Sequence, residues 1–476
     1  MSSVPSCPFV NGRFSKEGTG TELSLTDPSN GEVWTSVHLA SRELADEAVR
    51  SAQTAFPAWR AVAPGERSAL LFAVAQAIRS RQEELAQLEC RNIGKPLADA
   101  RDEIGLGATV FEYYAGAIDK FCGETIPVAR GGFDFTWHQP LGVVAAITPW
   151  NFPFPIACWK VAPALATGNC VLLKPANLSP LTALALGDIV AQAGVPAGVL
   201  QVLPGSGLSI GSLLTSHELV RKVSFTGSTE VGRQIMREAS NDLKRISLEL
   251  GGKSPNIVFA DADLERAASE SPMSVFANTG QDCCARSRVF VERSIYDAFV
   301  ARFVESTKAL VVGAARSEDT QLGPLVSADQ RDTVAKYVKE AQDLGREIAT
   351  GGPGSFAKGS YWEPTVILNP DYTDRCWREE IFGPVVCVTP FDDEDTMLTE
   401  VNRTPYGLSG SVWTRDLSRA LRVTRQIQAG VVSVNTHSSV HVQAPFGGFK
   451  QSGIGRDLGM YAMKGYTEIQ NVYIAE

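Results

Sequence analysis

The 476-residue chain predicts an α/β protein built on parallel sheets, and three features of the sequence carry that prediction. Short apolar runs that each stop at Pro or Gly recur from about residue 142, helix-like segments fall between them, and the same grammar returns after residue 255. Strands buried on both faces read as continuous apolar runs, and a helical crossover between them returns the chain to a parallel neighbour. A ligand is then expected at the carboxyl edge of the sheet.

The elements follow in order. PFVNGRF reads as two short strands around an Asn-Gly turn, because both turn residues tolerate the positive φ of a tight hairpin. Two helical stretches come next, SRELADEAVRSAQTAFPAWR and PGERSALLFAVAQAIRSRQEELAQLECRNIG, the second expected to end at Gly94 with Pro96 beyond it. GVVAAITPW, NCVLLKP, GVLQVLPG and VRKVSFTG are the expected strands of a first sheet, with SPLTALALGDIVAQAG, LSIGSLLTSH and TEVGRQIMREASN as its helices. PNIVFADADLERAASE and RVFVERSIYDAFVARFVEST open a second α/β unit. The closing YTEIQNVYIAE alternates apolar and polar residues as an edge strand does, and an unpaired edge invites a partner subunit.

Composition narrows the class. At 44% hydrophobic and 20% charged the chain is an ordinary globular protein, and a formal charge of -9 argues against a nucleic-acid or anionic-membrane binder. MSSVPSCPFVNGRF lacks a basic segment followed by an apolar one, and no run approaches the roughly 18 apolar residues of a membrane span. Nine scattered cysteines, an odd number, do not make a disulfide framework, so a reducing cytoplasm is expected. Cys7, Cys90, Cys122, Cys158, Cys170, Cys376 and Cys387 lie singly without metal-ligand spacing and are expected to be small buried hydrophobes; no metal is expected.

The chemistry concentrates in a few segments. NTGQDCCAR holds two adjacent cysteines, a Gly for a tight turn before Cys283, and what reads as a helix start around it, where backbone N–H groups would favour a thiolate. Two adjacent cysteines on an apolar stretch are, taken alone, more often core than catalytic. None of the five histidines sits in a motif, so a Cys-His protease is disfavoured. Glu249, between two leucines in ISLELGGKSPN, is placed for burial to raise its pKa toward that of a general base, and reads equally as a paired structural carboxylate. Asn151 of ITPWNFPFP is a neutral donor suited to polarising a carbonyl, or a turn residue. Gly227 and Ser228 sit at a strand-to-helix turn suited to phosphate, and Lys174 ends an apolar strand from which it reaches a ribose or phosphate, or solvent.

Taken jointly, TPWNFP, LLKPANLSPLT, FTGSTEVG, LELGGKSPN, GQDCCARSR, EEIFGPV and PFGGFKQSGIGRDLG resemble, in order, the NAD(P)-dependent aldehyde dehydrogenase superfamily. The resemblance covers essentially the whole chain, and Glu249 and Cys283 stand 34 residues apart, as in that family. YYAGAIDKFCGETIP, ACWK and the Asp of GQDC are most similar to its betaine aldehyde and aminoaldehyde branch.

The resemblance implies two Rossmann-like parallel-sheet domains and a small β ribbon for oligomerisation. Residues 1–121 and 142–251 would bind the dinucleotide, 252–463 would be catalytic, and 122–141 with 464–476 would form the ribbon of a homodimer or homotetramer. Cys283 would be the nucleophile and Cys284 its variable neighbour, Asn151 and the Cys283 N–H would hold the oxyanion, and Glu249 would be the base. The cofactor would lie on Thr148, Trp150, Lys174, Asn177, Gly207, Gly211, Phe225, Gly227, Ser228 and Leu250, with Glu380 and Phe382 at the nicotinamide riboside.

Asn177 departs from the pattern: many NAD-preferring members carry Glu there, so NADP use stays open beside NAD. The absence of GxGxxG is consistent with the family's variant dinucleotide site. Asp282 should raise the thiol's pKa, so it is expected either to turn into solvent or onto an Arg such as Arg286, or to receive a cationic group on the aldehyde, aided by Phe152, Trp159 and Phe446. Betaine-type enzymes usually have Trp where Phe446 stands, which favours an ω-aminoaldehyde such as 4-aminobutyraldehyde over a quaternary ammonium; a general aliphatic or aromatic aldehyde is the alternative. Two remoter readings are a serine hydrolase using GLSIG, residues 207–211, and a crystallin-like relative that has lost its chemistry.

Overall fold

Asn11 and Gly12 turn the chain at φ of +53° and +77° in the computed structural model of the protein, which describes residues 4–438 and 440–475. The expected hairpin, Phe9–Val10 against Arg13–Phe14, forms around them. The outermost residues of the expected first and last segments, 1–3 and 476, lie outside the described residues.

The first helical stretch is the helix Arg42–Ala61, with Ser41 Oγ accepting the N–H of Leu44 at 3.1 Å. The second is two helices, Pro64–Ser80 and Gln82–Ile93. Arg81 leaves helical geometry between them at φ −109° and ψ 14°, and its guanidinium binds Glu84 and Asp188 at 2.9 and 3.2 Å, so side-chain pairing stands in for the unbroken ladder. Gly94 ends the pair at φ +77° as expected. A hairpin, Thr19–Asp27 with Glu32–Ala40, and a 21-residue helix, Leu97–Ala117, have no counterpart in the sequence reading.

Among the described residues two large sheets form. The first runs Gly453–Ile454, Arg245–Glu249, Val220–Thr226, Val143–Ile147, Cys170–Lys174, Leu200–Val202, Phe9–Val10, Arg13–Phe14, and its five central strands are parallel. The second runs Glu347–Gly352, Glu363–Leu368, Val385–Phe391, Arg288–Glu292, Pro255–Val258, Ser409–Trp413, Val431–Val434, parallel except at the first strand. The helices expected after these strands pack on their faces, and Val143–Ile147, Cys170–Lys174 and Pro255–Val258 are buried throughout. Phe133–Pro140 and Thr467–Ile474 pair antiparallel over eight residues as a separate ribbon.

Cys122 corrects one expectation: it is exposed, in the loop that leaves the first helical layer for this ribbon, whereas the other six single cysteines are buried. Among the described residues no helix is long and apolar enough to cross a membrane.

Candidate active site

In the first sheet the chain steps outward from Val143–Ile147 to one side through Cys170–Lys174 and Leu200–Val202, then returns to its other side with Val220–Thr226 and Arg245–Glu249. The order reverses beside Val143–Ile147, and a crevice opens where successive connections diverge. A cavity of about 770 Å³ lies at the carboxyl ends of these strands, so that Thr148, Lys174, Thr226 and Glu249, each at or just after a strand end, line it. All twelve residues expected at the cofactor line this cavity, together with Cys283, Asn151 and Glu249.

The wall suits a dinucleotide. Two helical N-termini face the cavity, one behind Ser206, whose Oγ accepts the N–H of Ser209 at 3.1 Å, and one behind Ser228, whose Oγ accepts that of Val231 at 3.4 Å. Gly227 must be small, since a Cβ there would stand 2.5 Å from Phe225 Cζ. Thr148 Oγ1, Asn177 Oδ1 and Thr226 Oγ1 are buried without a partner, three polar atoms ready for ribose or amide groups. Lys174 donates to the carbonyls of Pro175 and Gly205 at 2.9 and 2.8 Å, and burial pulls its pKa down to about 8.

At the opposite end Trp150 and Phe382 meet edge to face, centroids 5.2 Å apart, with Phe382 held at φ +57°. Glu380 Oε1 accepts the N–H of Gly252 at 2.9 Å, and burial pushes this carboxyl up to about 7. A Cβ at Gly251 would overlap Glu380 Oε2, so Gly251 is what admits the carboxylate.

The helix start expected at Cys283 is absent. Asn278, Thr279 and Gly280 take three successive left-handed conformations, φ +51°, +56° and +71°, and deliver an irregular loop. For Asn and above all β-branched Thr this backbone is strained and must be held by its surroundings. Thr279 Oγ1 donates to the Gly323 carbonyl at 2.8 Å, Asn278 Nδ2 donates to the carbonyl of Asn151 at 3.0 Å, and Gln281 Oε1 accepts the N–H of Val326 at 2.9 Å. The adjacent Cys284 thiol, then burial, then the nearby Asp282 charge push Cys283 well above the ordinary thiol range.

Asp282 is half-buried. Its Oδ1 accepts the N–H of Cys284 at 2.8 Å, and its carboxylate and the two thiols lie within 4.8 Å of one another. Arg286 spends its donors on Ser411 Oγ at 3.0 Å and the carbonyls of Cys284 and His437, so the expected turn of Asp282 onto Arg286 gives way to a backbone contact. Burial raises the Asp282 carboxyl above its usual range.

Glu249 is 4% exposed, and both its carboxylate oxygens lack a partner. Burial, reinforced by the Asp457 charge and opposed by Lys160, pushes it well above the usual carboxylate range, the direction a general base requires. Asn151 Nδ2 donates to the carbonyl of Gln281 at 2.9 Å, which uses one of its two amide hydrogens.

Of the four residues expected at the substrate, none lines the cavity itself: Asp282 lies beside Cys283, which does, and Phe152, Trp159 and Phe446 lie behind it. Trp159 and Phe446 pack edge to face at 5.4 Å in the apolar cluster that contains Cys284 and borders Cys283 and Phe152, with Trp159 Nε1 unpartnered.

Four residues around the site escaped sequence reasoning. Lys160 and Asp457 form a buried ion pair at 2.9 Å beneath Glu249, and Lys95 pairs with Glu103 behind Asn151. A lysine amid apolar residues, as in ACWKVAP, was the available signal for Lys160. His217 cannot serve the GLSIG serine as its base: Nε2 is paired with Asp46 at 3.0 Å and Nδ1 accepts the N–H of Leu219 at 3.1 Å, leaving neither nitrogen for a hydroxyl.

Comparison with known proteins agrees with this geometry. The sequence profile of the aldehyde dehydrogenase family matches residues 14–472. An aldehyde dehydrogenase of Emericella nidulans is 42% identical over 467 residues, covering 98% of this chain and 94% of that protein. The NAD+ complex of an aldehyde dehydrogenase from Bacillus cereus superposes with a TM-score of 0.96 at 39% identity, covering 99% of this chain and 96% of the other. The indole-3-acetaldehyde dehydrogenase AldA of P. syringae, in complex with NAD+ and IAA, superposes with a TM-score of 0.98 at 40% identity, covering 100% and 97%.

Proposed function

The chain belongs to the aldehyde dehydrogenase family and oxidises an aldehyde to its carboxylic acid with NAD, and we propose that its substrate is an ω-aminoaldehyde, such as 4-aminobutyraldehyde, whose ammonium is received by Asp282. The observation that carries the substrate assignment is a half-buried carboxylate, fixed by the Cys284 N–H at 2.8 Å, immediately beside the thiol of Cys283. At about 4 Å and an effective dielectric near 20, the gross attraction between Asp282 and an ammonium is roughly 4 kcal/mol, less after desolvation.

In this mechanism the Cys283 sulfur, once its proton has left to solvent, attacks the carbonyl carbon, and the amide of Asn151 with the Cys283 N–H steadies the oxygen that gains charge. The chemistry that NAD supplies when bound on the walls between Lys174 and Phe382 is acceptance of the hydride from the tetrahedral carbon. The acyl group is then a thioester on Cys283. Glu249 removes a proton from a water that attacks it, the C–S bond breaks, and acid leaves with the thiol restored. Burial of Glu249, whose oxygens have no partner, raises its basicity for this proton transfer.

The exposed Phe133, Trp137, Ile469 and Ile474 of the terminal ribbon support a role for residues 122–141 and 464–476 in pairing subunits, and nine free cysteines support a cytoplasmic location. Measuring kcat/KM for 4-aminobutyraldehyde and butyraldehyde at saturating NAD, in wild type and Asp282→Asn, tests the substrate. A wild-type preference for the amine that drops about ten-fold or more in the variant, roughly 1.4 kcal/mol, supports it. Equal or better oxidation of butyraldehyde by both proteins overturns the aminoaldehyde assignment and leaves the general dehydrogenase.

A further inference from the structure

Lys95 follows Gly94, the left-handed end of the helix Gln82–Ile93, and precedes the helix Leu97–Ala117 that carries Glu103. The turn sends its side chain inward, where none of it is exposed. A buried ammonium is costly without partners, and Lys95 has three: both oxygens of the Glu103 carboxylate and the backbone carbonyl of Asn151, at 2.9 Å. It also stands over the ring of Phe152, 4.1 Å from the centroid.

Glu103 alone would satisfy an ion pair placed for stability. The other two contacts are to consecutive residues of the loop that carries the oxyanion amide. The Asn151 carbonyl is shared with Asn278 Nδ2, 3.0 Å away on the nucleophile loop, so one carbonyl joins Lys95, the amide and the loop before Cys283. The Asn151 amide and the Gln281 carbonyl, 2.9 Å apart, close the same circuit.

We propose that Lys95, clamped by Glu103, is a positioning residue for the oxyanion amide of Asn151, an inference that rests on the dehydrogenase chemistry assigned to this site. Lys95 touches no reacting atom; it fixes the carbonyl from which the amide is hung. A displacement of about 1 Å in such a group lowers the chemical step by around 10²-fold while leaving substrate and cofactor contacts in place.

The test is a double-mutant cycle of Lys95→Met with Asn151→Ala, read as kcat and KM for the aldehyde, NAD affinity by fluorescence quenching, and the rate of Cys283 alkylation by iodoacetamide. Expected are a ten-fold or larger fall in kcat for Lys95→Met, with KM, NAD affinity and alkylation within three-fold of wild type, and a double variant no slower than Asn151→Ala. A kcat within three-fold of wild type, or losses that multiply in the double variant, overturns the proposal. Should Lys95→Met fail to fold, Glu103→Gln loosens the clamp while keeping the lysine: kcat then falls three-fold or more in the wild-type background and not in Asn151→Ala, and any other pattern overturns it. A wild-type protein that reduces no NAD with any aldehyde removes the dehydrogenase reading and this proposal together, whereas an active wild type with multiplying losses removes this proposal alone.

Discussion

Asp282 Oδ1 holds the backbone N–H of Cys284 at 2.8 Å, which locks the carboxylate in place beside the two thiols. A carboxylate there opposes thiolate formation, and the adjacent Cys284 thiol, its sulfur within 4.8 Å, opposes it further. Both contacts favour the Cys283 thiol over its thiolate, so as the proposed nucleophile it must lose its proton during turnover.

Replacing the two cysteines separates their roles. Cys283→Ala should lower kcat by roughly 10⁴-fold or more, because no other group replaces the nucleophile. Cys284→Ala should stay active, and loss of its thiol should move the alkylation of Cys283 to lower pH, since the neighbouring thiol that raises Cys283 is gone. Iodoacetamide rates between pH 6 and 10 check this; an unmoved profile would show that burial and the Asp282 charge, not Cys284, set the thiol.

Glu249→Gln should leave acylation possible in a single turnover and block hydrolysis. A burst of about one reduced cofactor per subunit followed by a steady rate 10²–10⁴-fold below wild type is expected from loss of a general base. Because burial raises the carboxyl, wild-type kcat should climb as pH rises through that raised value, and the glutamine should remove this limb. Stopped-flow absorbance at several pH values reads both effects.

How much of this was legible in the chain depends on the kind of contact. Apolar runs ending in Pro or Gly marked the strands Val143–Ile147, Cys170–Lys174 and Val220–Thr226, because burial on both faces writes itself into local composition. The cavity residues were found through motif resemblance, and Thr148, Lys174 and Glu249 among them lie at or just after strand ends. The geometry at Cys283 was not legible, since a helix start and three left-handed residues use the same Asn, Thr and Gly. Lys95–Glu103 and Lys160–Asp457 were invisible for another reason: the second pair joins residues 297 positions apart, and the first gains its meaning from Asn151, 56 positions away.

Glu380 supplies a stability prediction. Its folded value of about 7 lies above the 4.5 of an ordinary glutamate, owing first to burial. A raised carboxyl favours folding while it holds its proton, so its contribution is complete below about pH 4.5 and is lost as pH rises to about 7. The loss is roughly 3 kcal/mol at about 1.4 kcal/mol per pK unit. Glu380→Gln should thus gain on wild type in Tm between pH 5 and 8. A Tm difference that does not change with pH would mean that the carboxyl titrates normally.

In the proposed cofactor site, the choice between NAD and NADP turns on Asn177. Its Oδ1 is buried, without a partner, on the same cavity wall as Lys174, whose ammonium is committed to two backbone carbonyls. A neutral amide accepts a ribose hydroxyl and offers no repulsion to a 2′-phosphate. Asn177→Glu puts a carboxylate at that spot, where a like charge at about 4 Å is opposed by up to roughly 4 kcal/mol gross at an effective dielectric near 20. The ratio of kcat/KM for NAD over NADP should therefore rise ten-fold or more, mostly through loss of NADP turnover. Steady-state kinetics with both cofactors at one aldehyde concentration measure it, and an unchanged ratio would place the adenosine ribose away from Asn177 and its neighbour Lys174.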